Sequence, residues 1–119
     1  MPKEPSFENA LAFAQENAAL NGLEIRTLCL DWRDPDWPGG FDLVVAADVT
    51  YESRNVAPLA SLVPRLLAPA GRALIVDPRR PYAGALIAAL RQRGLSVSVR
   101  PLYLFWQGRA HEVDLIAAG

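Results

Sequence analysis

Residues 41–52, FDLVVAADVTYE, constrain the fold of this chain more than any other stretch. The run at 43–47 is short, wholly apolar and rich in β-branched residues, and it follows a pair of glycines, Gly39-Gly40. Such a run is typical of a strand buried on both faces, as in a parallel sheet covered by helices. It ends in Asp48, with Tyr51 shortly after. Because ligands bind at the carboxyl ends of strands in open α/β sheets, these polar residues mark a candidate site.

Asp48 also has a simpler interpretation. An aspartate that follows a strand often accepts hydrogen bonds from backbone N–H groups and so caps the next turn. Functional residues, however, lie on such loops more often than elsewhere. The residues alone leave both interpretations open.

Length, composition and charge exclude several classes of function. The 119 residues suit one domain, residues 1–119, and 51% of them are apolar, which is enough to build a core. Twelve basic and thirteen acidic residues give a net charge of -1, so we expect no nucleic-acid surface. The lone Cys29 and the only histidine, His111, predict no disulfide and no metal site. With no apolar run near ~18 residues and no signal peptide, we expect a cytoplasmic location without a membrane segment.

The remaining sequence predicts alternating helices and strands. A first helix begins at Pro5-Ser6 and ends before Asn21-Gly22, with apolar residues three and four positions apart. Further helices are predicted at 55–67 and 81–93, and strands at 24–30, 43–47, 72–76, 95–104 and 111–117. The last two strands flank Gln107-Gly108 and are expected to form an antiparallel pair. This order predicts an α/β fold with a Rossmann-like, doubly wound sheet.

Three of the predicted strands end in an acid, so Asp31, Asp48 and Asp77 are expected at one edge of the sheet. A crevice lined by these carboxylates, with Trp32 and Tyr51 beside them, suits a ligand that carries hydroxyls, an amine or a positive charge. Trp32 could stack on a planar ring, and Asp31 could accept a hydrogen bond from an exocyclic amine. Two alternatives stay open: Trp32 is a half-buried aromatic that covers the sheet edge, and Asp77 starts a turn.

Several stretches resemble a known family. FDLVVAADVTYE, followed by LLAPAGRALIVDPRRP, resembles the second half of class I, seven-strand S-adenosylmethionine-dependent methyltransferases. FAQENAALNGLEIRTLCLDW is similar to the helix, strand and adenine-site segment of the same fold. Residues 48–51 match the acid-x-x-aromatic motif of the branch that methylates lysine side chains of proteins. Residues 77–81 are similar to electron transfer flavoprotein β-subunit lysine methyltransferase, and ribosomal protein L11 methyltransferase is a more distant relative.

This resemblance implies roles for five residues. As candidate catalytic residues, Asp48 would orient the lysine ε-amine or hold the cofactor's amino group, and Tyr51 would shape an apolar channel. As candidate cofactor-binding residues, Asp31 would meet the adenine amine of S-adenosylmethionine, Trp32 would lie against the ring, and Ala47 would lie at the strand end. The implied fold is the C-terminal part of a seven-strand methyltransferase sheet with an antiparallel closing pair.

The family's glycine-rich motif, E/D-x-G-x-G, is absent from the sequence, as is the acid that binds the ribose hydroxyls. We therefore expect the chain to correspond to the C-terminal two-thirds of a methyltransferase, with only part of the cofactor site. The alternative function is a truncated, catalytically inactive remnant that acts as a binding or assembly module. A phosphotransfer domain is disfavoured, because it requires a lysine in a loop that follows one of the last strands, and the only lysine is Lys3.

The family's sheet order, 3-2-1-4-5-7-6, predicts a property of the whole molecule. Strands one and two separate strand three from strand four, so without them residues 24–30 have no native neighbour and the edge of residues 43–47 is bare. A bare apolar edge is a template for pairing with another chain. We therefore expect a homo-oligomer, most simply a dimer, joined through this edge.

Overall fold

The computed structural model describes residues 5–29, 31–33 and 38–119. The chain divides into a smaller unit, Met1–Asp31, and a larger unit, Trp32–Gly119. Within the described residues, the smaller unit contains one helix, and the larger unit contains a four-stranded sheet with two α-helices. In chain order the elements are α1 (Pro5–Leu20), β1 (Phe41–Ala47), a 3₁₀ turn (Ser53–Asn55), α2 (Val56–Leu66), β2 (Leu67–Asp77), α3 (Ala83–Gln92), β3 (Val97–Trp106) and β4 (Arg109–Ala118).

The helix predicted in the smaller unit is confirmed as α1. Within residues 9–20 of this helix, Leu11, Ala14 and Ala18 are half-buried, at the predicted spacing of three and four. Just after the helix, the N–H of Leu23 donates to the Ala18 carbonyl at 2.8 Å, and Gly22 has a φ of 71°. A left-handed residue at this position is usual at helix ends, and glycine adopts it without steric cost.

The prediction of a strand at residues 24–30 is wrong for residues 24–29, the part that the structure describes. Residues 24–29 have no strand conformation, and Leu30 lies outside the described residues. The segment is instead tied to α1 by an exposed side-chain bond, in which Gln15 Nε2 donates to Thr27 Oγ1 at 2.9 Å. A strand exists through hydrogen bonds to a neighbouring strand, and no described strand pairs with this segment. Asp31 therefore does not follow a described strand.

The sheet of the larger unit has the strand order β1-β2-β4-β3. β1 and β2 run parallel, whereas β4 is antiparallel to both β2 and β3. The Rossmann-like mixed sheet and its antiparallel closing pair are therefore confirmed. β3 and β4 meet at Gln107 and Gly108, whose φ values are 50° and 72°. Two consecutive positive φ values characterise the tight hairpin turns whose twist matches that of the strands.

The hydrophobic core lies between this sheet and the helices α2 and α3. Residues paired across neighbouring strands share a face of the sheet, and the pairs Ala73–Ala118 and Ile75–Ile116 are buried. The helices cover this patch with buried residues spaced one turn apart, namely Leu59, Ala60 and Val63 in α2 and Leu86 and Leu90 in α3. No helix in the described part of the chain is both long and apolar enough to cross a membrane.

β2 is longer than the predicted strand at 72–76, because it begins at Leu67. Its pairing with β1 shifts register near this start, since Phe41 pairs with Leu67 whereas Leu43 pairs with Arg72. Gly71 lies within the shift, and a Cβ there would be 2.5 Å from the Phe41 carbonyl oxygen. Pro69 and Gly71 therefore lie in an irregular part of the strand. Only glycine permits the close backbone approach at position 71.

Candidate functional site

Asp48 is the first residue after β1, and its backbone is fixed by the neighbouring strand. Its N–H donates to the Val76 carbonyl at 2.9 Å. Its φ of 51° lies in the left-handed region, which aspartate tolerates better than most residues with a side chain. The loop that carries the polar residues therefore turns sharply at the carboxyl end of β1.

Asp77, the last residue of β2, joins this loop to the loop that follows β2. It is fully buried, at 0% exposure, as is Thr50. The Thr50 hydroxyl donates to Asp77 Oδ2 at 2.5 Å, and the backbone N–H of Arg80 donates to Asp77 Oδ1 at 2.7 Å. A buried carboxylate is tolerated only with such partners. The alternative that Asp77 starts a turn is therefore confirmed, and the same side chain also anchors the Asp48 loop.

The side chains of Asp48 and Arg80 form a two-bond ion pair. Arg80 Nε donates to Asp48 Oδ1 and Arg80 Nη2 donates to Oδ2, each at 2.8 Å. The hydrogen bond and charge of Arg80 hold the pKa of Asp48 below its usual value of 3.8, against a smaller opposing effect of burial. The same bond raises the pKa of Arg80. The Asp48 side chain therefore pairs with a cationic side chain. An aspartate that caps a turn would instead accept hydrogen bonds from backbone N–H groups.

Arg79 makes a separate set of ion pairs with β4. Its guanidinium lies 2.6 Å from Glu112 Oε1 and 3.4 Å from Asp114 Oδ1. Burial lowers the pKa of Arg79, but its hydrogen bond to Glu112 and both carboxylate charges outweigh that effect and raise it. Its φ of 66° is unusual for a residue other than glycine. Two consecutive arginines thus bind acids on opposite sides of β2.

The other predicted site residues lie at several places. Ala47 is exposed at the end of β1, and Tyr51 is 52% exposed three residues after Asp48. Trp32 is half-buried and packs against the core of the larger unit, as the alternative for this residue expected. Asp31 belongs to the smaller unit. Its meeting with Asp48 in one crevice stays a prediction.

The structure also contains a cavity of about 430 Å³ near the start of β2, lined by residues 69–72, 96–98 and 117–119. Asp48 and Tyr51 are not among its lining residues. Asp77 lies at the other end of the same strand. The concave site predicted around Asp48 is therefore a different place from this cavity.

Sequence reasoning missed the partners of the acids, above all Thr50 and Arg80. The signal for Arg80 was available, because a pair of arginines follows Asp77-Pro78 at an edge where several acids were expected. Charges that converge on one edge of a sheet are expected to pair. For Thr50 the sequence holds no such signal, since a buried hydroxyl and an exposed one look the same in a loop.

The arrangement presents one solvent-facing carboxylate that binds a nitrogen cation. Asp48 and Arg80 have side chains that are 43% and 45% exposed, so Asp48 is accessible to a ligand. Arg80 binds both carboxylate oxygens, and because the pair is open to water, its two hydrogen bonds can be exchanged for those of another nitrogen donor. The site can therefore orient an amine or another nitrogen group through N–H donation.

Comparisons with known proteins address the family and the fold. A family model described as "Lysine methyltransferase" matches residues 6–85 of this chain. No curated protein sequence matches the chain significantly. Precorrin 8W decarboxylase of Methanobacterium thermoautotrophicum has a similar structure, with a TM-score of 0.69 at 18% identity over 99% of this chain and 67% of that chain.

Two methyltransferase structures are similar as well. Precorrin-6y C5,15-methyltransferase of Geobacter metallireducens has a TM-score of 0.62 at 13% identity, over 98% of this chain and 63% of that chain. A SAM-dependent O-methyltransferase of Thermotoga maritima has a TM-score of 0.60 at 15% identity, over 93% of this chain and 46% of that chain. At these identities the similarity shows the fold alone. The chain spans roughly half to two thirds of the length of these proteins.

Proposed function

Because this chain belongs to the lysine methyltransferase family, we propose that it is an S-adenosylmethionine-dependent methyltransferase that acts on the ε-amine of a protein lysine side chain. The observation that carries this proposal is the Asp48 carboxylate. It follows β1 directly, faces solvent, and holds the guanidinium of Arg80 through two N–H donors. A carboxylate in this position has the charge and the acceptor oxygens to hold a lysine amine.

Asp48 would orient the nucleophile. A lysine ammonium would bind Asp48 as a cation and then lose one proton to the solvent that reaches this site. The resulting neutral amine would keep its N–H donation to the carboxylate. This would leave the nitrogen lone pair directed away from Asp48 and free to accept a methyl group. Orientation of this kind lowers the barrier without a covalent enzyme intermediate. Tyr51, half exposed on the same loop, would line the path of the lysine methylene chain.

Three residues would contribute to the cofactor site. When bound, S-adenosylmethionine would supply the methyl group to the amine nitrogen, with S-adenosylhomocysteine as the leaving group. The half-buried Trp32 and the exposed Ala47 suit the flat adenine ring. Asp31 would accept a hydrogen bond from the adenine amine. Because the sequence contains neither E/D-x-G-x-G nor the acid that binds the ribose hydroxyls, the fit covers the adenine ring and not the ribose or the methionine part.

The proposal includes a homo-oligomer, in which a second copy of the chain pairs with the edge of β1. β1 lies at one end of the strand order and pairs only with β2 among the described strands. Its Val45 side chain is 70% exposed, so both the backbone edge and an apolar face are available. A strand of another copy would satisfy the unpaired backbone groups of this edge.

Methyl transfer to a lysine polymer tests the function. Full-length chain is mixed with S-adenosylmethionine labelled in its methyl group, and the label in poly-L-lysine is counted. We expect Asp48→Asn to lower the rate about 10- to 100-fold, the range typical of a lost positioning contact. Asp42→Asn is the matched control, because Asp42 is an exposed aspartate of the same strand, away from its carboxyl end.

Two results would contradict the proposal. If Asp48→Asn transfers label as fast as the wild type, Asp48 does not orient the amine. If the wild type transfers no label and binds no S-adenosylhomocysteine, the chain is a binding or assembly module instead.

A further inference from the structure

The position of Asp48 does not depend on the Arg80 side chain. Three other bonds hold the loop: the Asp48 N–H donates to Val76 at 2.9 Å, Thr50 donates to Asp77 at 2.5 Å, and Asn55 Nδ2 donates to the Val49 carbonyl at 3.4 Å. The first belongs to the backbone and the second is fully buried. The carboxylate is therefore presented to solvent by the fold itself.

The Arg80 side chain nevertheless occupies both oxygens of that carboxylate. Its backbone is anchored separately, since its N–H donates to the buried Asp77 at 2.7 Å. The guanidinium can thus leave Asp48 by rotation about side-chain bonds, while the main chain of the loop stays in place. Because both partners are nearly half exposed, opening the pair exposes each charge to water and costs little.

Arg79 provides a contrast within the same loop. It pairs with Glu112 and Asp114 of β4 and does not contact Asp48 in any described bond. One arginine therefore pairs with the two acids of β4, and the other pairs with the carboxylate of the proposed amine site. Only the second pairing puts a cation where a substrate cation has to bind.

From this geometry we infer that Arg80 is a built-in competitor of the substrate lysine. It covers Asp48 in the free protein, and a cationic side chain displaces it on binding. The inference rests on the proposed function, because it concerns the same carboxylate. It adds that Arg80 lowers the affinity of Asp48 for a lysine side chain, because the lysine has to displace the guanidinium before it binds. Arg80 is thus a specificity-determining residue that acts through Asp48.

The test uses the full chain labelled with ¹⁵N and the probe Nα-acetyl-L-lysine methylamide, followed by NMR at near-neutral pH. In the wild type, the Nε–H signal of Arg80 should move to the position of a solvent-exposed arginine as the probe binds, while the Arg79 signal stays in place. Arg80→Gln should bind the probe about two- to fivefold more tightly, the range expected for loss of an exposed ion pair. Arg79→Gln is the matched control and should change the affinity less.

A double variant separates competition at Asp48 from a general change in charge. Asp48→Asn combined with Arg80→Gln should lose the gain in affinity, because the carboxylate that both cations share is gone. The inference is overturned if the probe binds without moving the Arg80 signal, if Arg80→Gln binds no more tightly than the wild type, or if neither binds the probe. S-adenosylhomocysteine binding is measured separately. If this ligand does not bind but the probe still displaces Arg80, the methyltransferase function fails and the competition at Asp48 stands.

Discussion

Two aspartates at the ends of neighbouring strands have opposite environments. Asp77 is fully buried and takes its hydrogen bonds from Thr50 and from the Arg80 backbone. Asp48 faces solvent and takes its hydrogen bonds from the Arg80 side chain. A buried, internally satisfied carboxylate supports the loop, whereas an exposed one can exchange its partner for a ligand. The division of roles follows from burial rather than from residue type.

The support role of Asp77 predicts a cost for removing the Thr50 hydroxyl. Among the described residues, every buried side-chain nitrogen and oxygen has a hydrogen-bond partner. Thr50→Val keeps the shape of the side chain but leaves Asp77 Oδ2 buried without that bond, so we expect the free energy of unfolding to fall by about 1–3 kcal/mol. Urea denaturation followed by circular dichroism measures it.

Thr27→Val is the matched control for this change. Thr27 also takes part in a side-chain hydrogen bond, with Gln15, but this bond is exposed. Water replaces such a partner, so the free energy of unfolding should change by less than about 0.5 kcal/mol. Equal effects of the two variants would show that burial of the Thr50–Asp77 pair does not matter.

The Asp48–Arg80 pair predicts a pH dependence with a definite sign. Because the folded-state pKa of Asp48 is lowered, the pair stabilises the fold above the unfolded-state pKa of about 4, and this contribution is lost as pH falls through the lower folded-state value. Arg80→Gln should raise the Asp48 pKa towards 3.8. NMR titration of the Asp48 carboxyl carbon measures both values, and an unchanged pKa in the variant would contradict the observed pairing.

At the scale of single residues, the sequence predicted the location of the polar edge but not its internal pairing. Asp48 and Asp77 were placed correctly at strand ends because a β-branched run followed by an acid is a local pattern. The division between a buried and an exposed carboxylate depends on contacts between loops 27 to 32 residues apart in the chain. Local patterns carry no information about such contacts.

At the scale of elements, Gly71 tests the irregular start of β2. A Cβ at this position would lie 2.5 Å from the Phe41 carbonyl oxygen and 3.0 Å from backbone atoms of Ala68. Backbone cannot move aside as the end of a long side chain can, so Gly71→Ala should lower the free energy of unfolding by about 1–3 kcal/mol. Thermal or urea unfolding checks the value.

Gly84, in the first turn of α3, is the control for that variant. A Cβ added at Gly84 meets no atom within 4 Å. Because alanine favours the helix over glycine, Gly84→Ala should be neutral or stabilise the fold by up to about 1 kcal/mol. A neutral Gly71→Ala would mean that β1 and β2 do not approach each other as closely as described.

The elements also show where sequence patterns fail. The helices and the closing hairpin were predicted well, because apolar spacing and turn residues act over a few positions. Residues 24–29 have the composition of a strand but do not form one. Strand conformation needs a partner, and the existence of a partner cannot be seen in the segment itself.

At the scale of the whole molecule, the edge of β1 predicts self-association. Val45→Lys would place a charge on the exposed, apolar face of this edge strand, and lysine on an edge opposes pairing. We expect the wild type to be a dimer by light scattering and Val45→Lys to be a monomer. Val99→Lys, on the edge strand β3 at the other side of the sheet, should remain a dimer. A folded wild-type monomer at high concentration would contradict the dimer.

Titration with S-adenosylhomocysteine, followed by calorimetry, tests the central claim most directly. Binding of this product requires the cofactor site but no knowledge of the protein substrate. If the chain is a methyltransferase, the dissociation constant should be micromolar, and Trp32→Phe should weaken it, because a smaller ring covers less of the adenine. No heat of binding at millimolar S-adenosylhomocysteine, with a folded chain, would contradict the claim and leave a methyltransferase fold that serves as a binding module.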